Sequence, residues 1–210
     1  MSRVIVSFDI ESDGKLPNAN MWELGVVAFD AQTKKEVGAL DMLINTRQEI
    51  QGDPDTLDWI VRNNLDTKYQ QCVNRITHSP ETAMNNLYLF LVQLQLQYEK
   101  IEFVASPSAY DFPYLAQYYV QYGPQTPEGQ KLMPYKATCI SSIFNHLYPQ
   151  NRGMWEKLAN GKSHTHHAVD DAREQGTVYL NLPPPPNPLY GWIAISTAFA
   201  VGFIWGKCCN

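Results

Sequence analysis

The apolar positions of the N-terminal part fall into three runs: VIVSFDI (4–10), ELGVVAFD (23–30) and EVGALDMLIN (36–45), the last two parted by the polar turn AQTKK. Runs of this length and composition predict strands, and together they predict an antiparallel meander. The pattern then changes period. After the loop QEIQGDPDT, the acid-rich start of DTLDWIVRNN (55–64) predicts a short helix. In PETAMNNLYLFLVQLQLQYEK (80–100), Pro80 opens a segment with Met84, Leu87, Leu91, Leu94 and Tyr98 spaced three or four apart, which predicts a long helix laid on the sheet. IEFVAS (101–106) reads as a further strand, running into a helix over YDFPYLAQYYVQYG (110–123) that ends at Gly123 and Pro124. Residues 125–137 read as a polar loop, TCISSIFNHLY (138–148) and MWEKLAN (154–160) as two short helices, and AVDDAREQGTVYLNL (168–182) as a longer one.

A meander followed by alternating helix and strand predicts an α/β fold, a mixed sheet covered by helices. At 210 residues the chain suits one catalytic domain with a sizeable core. Its net charge of -5 excludes binding of nucleic acid through an overall basic surface, but leaves room for a basic rim around an acidic centre. The four cysteines (72, 139, 208, 209) lack paired metal-ligand spacing, and no basic-then-apolar signal segment opens the chain. The expectation is a reducing compartment without structural disulfides.

Two carboxylates interrupt the first strand. Asp9 and Glu11 are two apart and so share one face, while Phe8 and Ile10 take the other. Side by side they repel and lose hydration, so they need opposing positive charge: a divalent cation held by hard oxygen ligands, or basic side chains. In SHTHHAVDDAREQ, a helix beginning near Ala168 projects Asp171 from its first turn with His166 just outside. An imidazole there suits removal of a proton from water near neutral pH; alternatively, these histidines and acids cap a helix and face solvent. Asp53, Asp55 and Asp58 surround a helix start, where acids complement the dipole without any chemistry.

FDIES (8–12), YDFPYL (110–115) and HHAVDDA (166–172) resemble, in order, the three motifs of DnaQ-like 3'-5' exonucleases of the DEDDh type, and MWELGVVAFD is similar to that family's second-strand region, with Glu23, Leu24 and Gly25 at its Glu-Ile-Gly position. The resemblance spans roughly residues 4–180 and implies the ribonuclease H-like fold. It implies that Asp9, Glu11, Asp111 and Asp171 hold two Mg²⁺ or Mn²⁺ ions and that His166 is the general base. It further implies that water attacks the last phosphodiester of a single strand's 3' end, releasing a nucleoside 5'-monophosphate from DNA or RNA. Ser12, Gly14 and Leu24 are the implied contacts to the terminal nucleotide. Pro107 stands where the family commonly has Asn. His164, His167 and Asp170 are expected to face solvent or to stabilise a loop. The alternative activities are trimming of short oligonucleotides or RNA ends, and nucleic-acid binding or scaffolding with weak turnover.

The C-terminal part differs in kind. From Gln175 to Gly206 lie 32 residues without charge. NLPPPPNP (181–188) predicts a stiff linker. The 18 residues LYGWIAISTAFAVGFIWG (189–206) would, as a helix, span about 27 Å, near the lower limit for crossing a bilayer. The expectation is a C-terminal membrane anchor carrying a cytoplasmic or nuclear-facing catalytic domain; the other reading is a helix buried against protein.

Overall fold

The structure is a computed structural model; it describes residues 2–183 except 134, 150 and 163. The elements are β1 (Arg3–Ser12), β2 (Met21–Asp30), β3 (Glu36–Leu43), α1 (Pro54–Arg62), α2 (Asp66–Val73), α3 (Pro80–Gln97), β4 (Lys100–Ala105), α4 (Ser108–Tyr122), α5 (Pro127–Leu132), β5 (Thr138–Cys139), α6 (Ile140–Leu147), α7 (Arg152–Leu158) and α8 (Ala168–Asn181). They build an α/β fold around one mixed sheet of order β3-β2-β1-β4-β5. The first three strands are the antiparallel meander; β4 then joins β1 in parallel and β5 joins β4 in parallel.

The central strand β1 is buried on both faces, which is why its sequence is nearly continuous in apolar residues. Its even positions Val4, Val6, Phe8 and Ile10 pack with Met84, Leu87 and Leu91 of α3 and Tyr114, Leu115 and Tyr118 of α4. Its odd face carries Ile5, which packs with Val27, Val104 and the α8 residues Val169, Ala172 and Val178. Asp9 and Glu11 continue this odd row, so the alternation of a strand delivers them beneath α8.

Helix starts follow their sequence signals. Asp53 caps α1 by accepting from the Thr56 N–H, and Ser79 caps α3 by accepting from the Thr82 N–H, each just before a proline that has no N–H to leave unpaired. Three expectations are corrected. The segment 125–137 contains α5, capped by Thr126; the segment 138–148 opens with the two-residue β5 before α6; and α2 was not expected. α2 escapes a periodicity reading because its only buried side chains are Tyr69 and Cys72. No helix among the described residues is long and apolar enough to cross a membrane. The expected anchor at 189–206, and most of the linker before it, lie outside the described residues.

Candidate active site

α8 lies close against the sheet where two glycines remove the side chains that would hold it off. At Gly25 a Cβ would come 2.1 Å from the Ala168 carbonyl carbon, and at Gly176 it would come 2.4 Å from the Phe29 ring. The first turn of α8 therefore sits directly over Asp9 and Glu11. Oxygens of Asp9, Glu11 and Asp171 lie within 4.8 Å of one another, and all three side chains are buried. Asp111 enters from the first turn of α4; it is only 3% exposed, yet its Oδ2 has no hydrogen-bond partner.

Each acid is oriented separately. Asp171 Oδ1 accepts from the Thr165 N–H (2.7 Å) and hydroxyl (3.2 Å), and Oδ2 accepts from the His166 N–H (2.9 Å). The loop before α8 is thus folded onto the acid it precedes, with His166 in the left-handed region at φ 56°. Asp9 Oδ1 accepts from Gln175 Nε2 at 2.7 Å. The His166 ring meets the edge-on rings of Trp59 and His164, with centroids 4.9 and 4.6 Å away.

Burial dominates the electrostatics. It pushes Glu11 up to about 8, helped by the charges of Glu23 and Asp171, and it pushes Asp111 up to about 7. Asp9 is held well above the usual carboxylate range by burial and then by Asp111, Glu11 and Asp171. His166 is lowered by burial and by His164, which favours the neutral imidazole a base requires. His164 is raised by the Glu174 carboxylate beside it and by Asp171, whose Oδ2 is 3.2 Å from His164 Nδ1. A set of buried, mutually repelling oxygen donors with one oxygen unpartnered fits hard divalent cations.

The expected residues separate. Asp9, Glu11, Asp111, Asp171 and His166 come together. Ser12 lines a cavity of about 920 Å³ together with Glu11, Lys15, Trp59, Arg62 and Tyr110. Gly14 is buried, its carbonyl accepting from Ser12, Tyr110 and Tyr114 hydroxyls, and Leu24 is wholly buried in the core facing α3 and α4, so neither lines that cavity. His164 is half exposed and braces the loop on Asp171; Asp170 pairs with Arg173.

Two residues beyond the expected set hold the site together. Glu23, fully buried on β2, accepts from the Ala168 N–H (3.2 Å) and from Lys68 Nζ (3.1 Å), tying α2 and α8 to the sheet. Its signal was its place beside Gly25. Gln175 lies one helical turn beyond Asp171, and that spacing alone puts both on the face that meets β1.

The sequence model of the 3'-5' exoribonuclease Rv2179c-like domain matches residues 4–182. Among solved structures, the nuclease domain of 3'hExo, a DEDDh family member, bound to rAMP, is similar at 14% identity and TM-score 0.59, covering 84% of this chain and 90% of that one. Cell-death related nuclease 4 (CRN-4) is similar at 16% identity and TM-score 0.53, covering 85% and 62%. E. coli Exonuclease I in complex with a dT13 oligonucleotide is similar at 10% identity and TM-score 0.62, covering 90% and 43%. No curated protein matches the sequence. The structural likenesses are likenesses of fold, and the sequence match runs from β1 to the end of α8; this chain belongs to the 3'-5' exoribonuclease Rv2179c-like family of 3'-5' exonucleases.

Proposed function

We infer that the chain removes nucleotides from the 3' end of single-stranded RNA, and less readily DNA, as nucleoside 5'-monophosphates with the help of Mg²⁺ or Mn²⁺. The observation that carries this reading is the convergence of Asp9, Glu11 and Asp171 oxygens within 4.8 Å, with the unpartnered Oδ2 of buried Asp111 and the His166 backbone held on Asp171 beside them. The preference for RNA is supported by the family's description as an exoribonuclease.

Asp9, Glu11, Asp111 and Asp171 would hold two divalent ions, which when bound offset the repulsion among these acids and the charge that develops during phosphoryl transfer. The protein's own groups do the rest. The neutral His166 ring takes a proton from the attacking water as its oxygen bonds to phosphorus. The bond to the 3'-oxygen of the preceding nucleotide breaks, and that oxygen takes up a proton from solvent. The Asp171 carboxylate, by accepting from the His166 N–H, fixes the backbone from which the imidazole projects. The terminal nucleotide occupies the cavity beside Ser12, with Trp59 and Tyr110 as its aromatic walls.

The test is time-resolved cleavage of 5'-labelled single-stranded RNA and DNA by the full chain with Mg²⁺, Mn²⁺ or chelator. A ladder shortening from the 3' end, faster on RNA and lost in Asp111→Asn, is expected. Binding without products under either metal would remove the catalytic reading.

A further inference from the structure

The carboxylates sit between two cavities. Glu11 and Ser12 line the first, described above. Gln175 and His164, which contact Asp9 and Asp171, line the second, a cleft of about 610 Å³ walled by α6, α7 and α8. Three features distinguish this second cleft. Its Trp155 indole is fixed at both ends, donating from Nε1 to Glu174 Oε1 at 2.8 Å and packing edge-on against Phe144 with ring centroids 5.1 Å apart. Arg152 and Lys162 stand on its rim, and neither makes an ion pair among the described residues, whereas Arg3, Lys68 and Arg173 do. Gln175, only 2% exposed, spends its amide N–H on Asp9 and leaves Oε1 without a partner.

Uncommitted cations beside a rigid aromatic plane, in a protein of net charge -5, are what a stretch of phosphate backbone with a stacked base requires. With the terminal nucleotide in the first cavity, the strand attached to the leaving 3'-oxygen has to run away from that cavity. His166 stands between the two cavities, packing against Trp59 of the first and His164 of the second. The second cleft opens beside the acids, past Gln175 and His164.

We propose that the cleft walled by α6, α7 and α8 is the subsite for the nucleotide on the 5' side of the scissile bond, with Arg152 and Lys162 holding its phosphates and Trp155 supporting its base. This rests on the exonuclease reading above and adds to it where the uncleaved strand lies. Glu174 and Phe144 act as positioning residues through the indole. The cleft lets the enzyme distinguish a strand from a lone nucleotide ester, since only a strand reaches the two cations.

The experiment compares two substrate types with the full chain: short single-stranded RNA and DNA oligonucleotides, and the p-nitrophenyl esters of uridine and thymidine 5'-monophosphate, whose leaving group carries neither base nor phosphate. For the Arg152→Ala/Lys162→Ala pair, kcat/KM on oligonucleotides should fall at least about tenfold at low salt, and the slope of log kcat/KM against log salt should shrink by about 1.4, or roughly 0.7 per lost phosphate contact. Hydrolysis of the aryl esters should be unchanged, and the Arg152→Lys/Lys162→Arg pair should restore most of the oligonucleotide rate. An unchanged oligonucleotide rate and salt slope, or an equal fall on the aryl esters, would overturn the subsite. If the unaltered protein hydrolyses the esters but the strand preference is absent, the subsite fails while the exonuclease reading stands; if it hydrolyses neither substrate, both fail.

Discussion

Gly25 of β2 lies beneath the first turn of α8 so closely that an added Cβ would stand 2.1 Å from both the Ala168 carbonyl carbon and the Val169 nitrogen. Both are backbone atoms, so no side-chain rotation relieves the clash. Gly25 also pairs with Asp9 in the sheet, so displacing α8 here separates Asp171 from its partner acids. Gly25→Ala is expected to cost at least about 1–3 kcal/mol in urea unfolding and to lower exonuclease activity in parallel. Gly153→Ala is the control: its Cβ would meet only Asn151 Oδ1 at 3.9 Å, and the helix should gain about 0.5–1 kcal/mol. Equal stability for Gly25→Ala and the unaltered protein would mean that α8 does not need this close approach.

The raised acids make the metal-free protein sensitive to alkali. Glu11 at about 8, Asp111 at about 7 and the raised Asp9 bind protons more tightly in the folded than in the unfolded chain. Their contribution is therefore fully present below the ordinary carboxylate range and is lost as pH rises through about 7 and 8. His164, also raised, acts in the same direction. With chelator present, Tm should fall between mildly acidic and mildly alkaline pH. Mg²⁺ or Mn²⁺ should recover more stability at the alkaline end, with proton release on binding at neutral pH seen as a buffer-dependent calorimetric heat. A flat Tm in chelator would show that Asp9, Glu11 and Asp111 do not hold their protons more tightly in the folded chain than in the unfolded one.

Asp111→Asn separates chemistry from folding. The lost charge has an unpartnered oxygen and raises Asp9 by repulsion, so its removal leaves no broken hydrogen bond at Oδ2. Cleavage should drop by at least about a hundredfold, while stability in chelator should hold or rise. A variant that is destabilised without metal would instead make Asp111 a structural acid.

At His166 the backbone and the ring make separate demands. The residue sits at φ 56°, which Asn tolerates better than Ala. His166→Asn should keep stability within about 1 kcal/mol yet lose about 10²- to 10⁴-fold in kcat, the usual worth of a general base. His166→Ala should lose a similar amount of activity and about 1 kcal/mol more stability. Retention of the rate by the Asn variant would place proton removal elsewhere.

Much of the site was legible because each acid is tied to local structure. Asp9 and Glu11 need only the alternation of a strand, and Asp171 only the first turn of a helix whose start at Ala168 the pattern predicts. The sites of α2, α5 and β5 were not legible: these are short elements with few buried side chains, and what holds them is contact with distant parts of the chain, such as Lys68 with Glu23 and Tyr69 with Asp13.

By itself, then, the sequence determined the strand and helix periods, the α/β class and the identity of the acids, since these depend on spacing within a few residues. Only the tertiary structure decided that Gly25 and Gly176 let α8 down onto β1, that Gln175 orients Asp9, that Leu24 and Gly14 turn into packing, and that Arg152, Trp155 and Lys162 border one cleft. The contacts of Gly25, Gly176 and Gln175 join residues far apart in the chain, and which of them meet is settled by how closely one helix can approach a sheet.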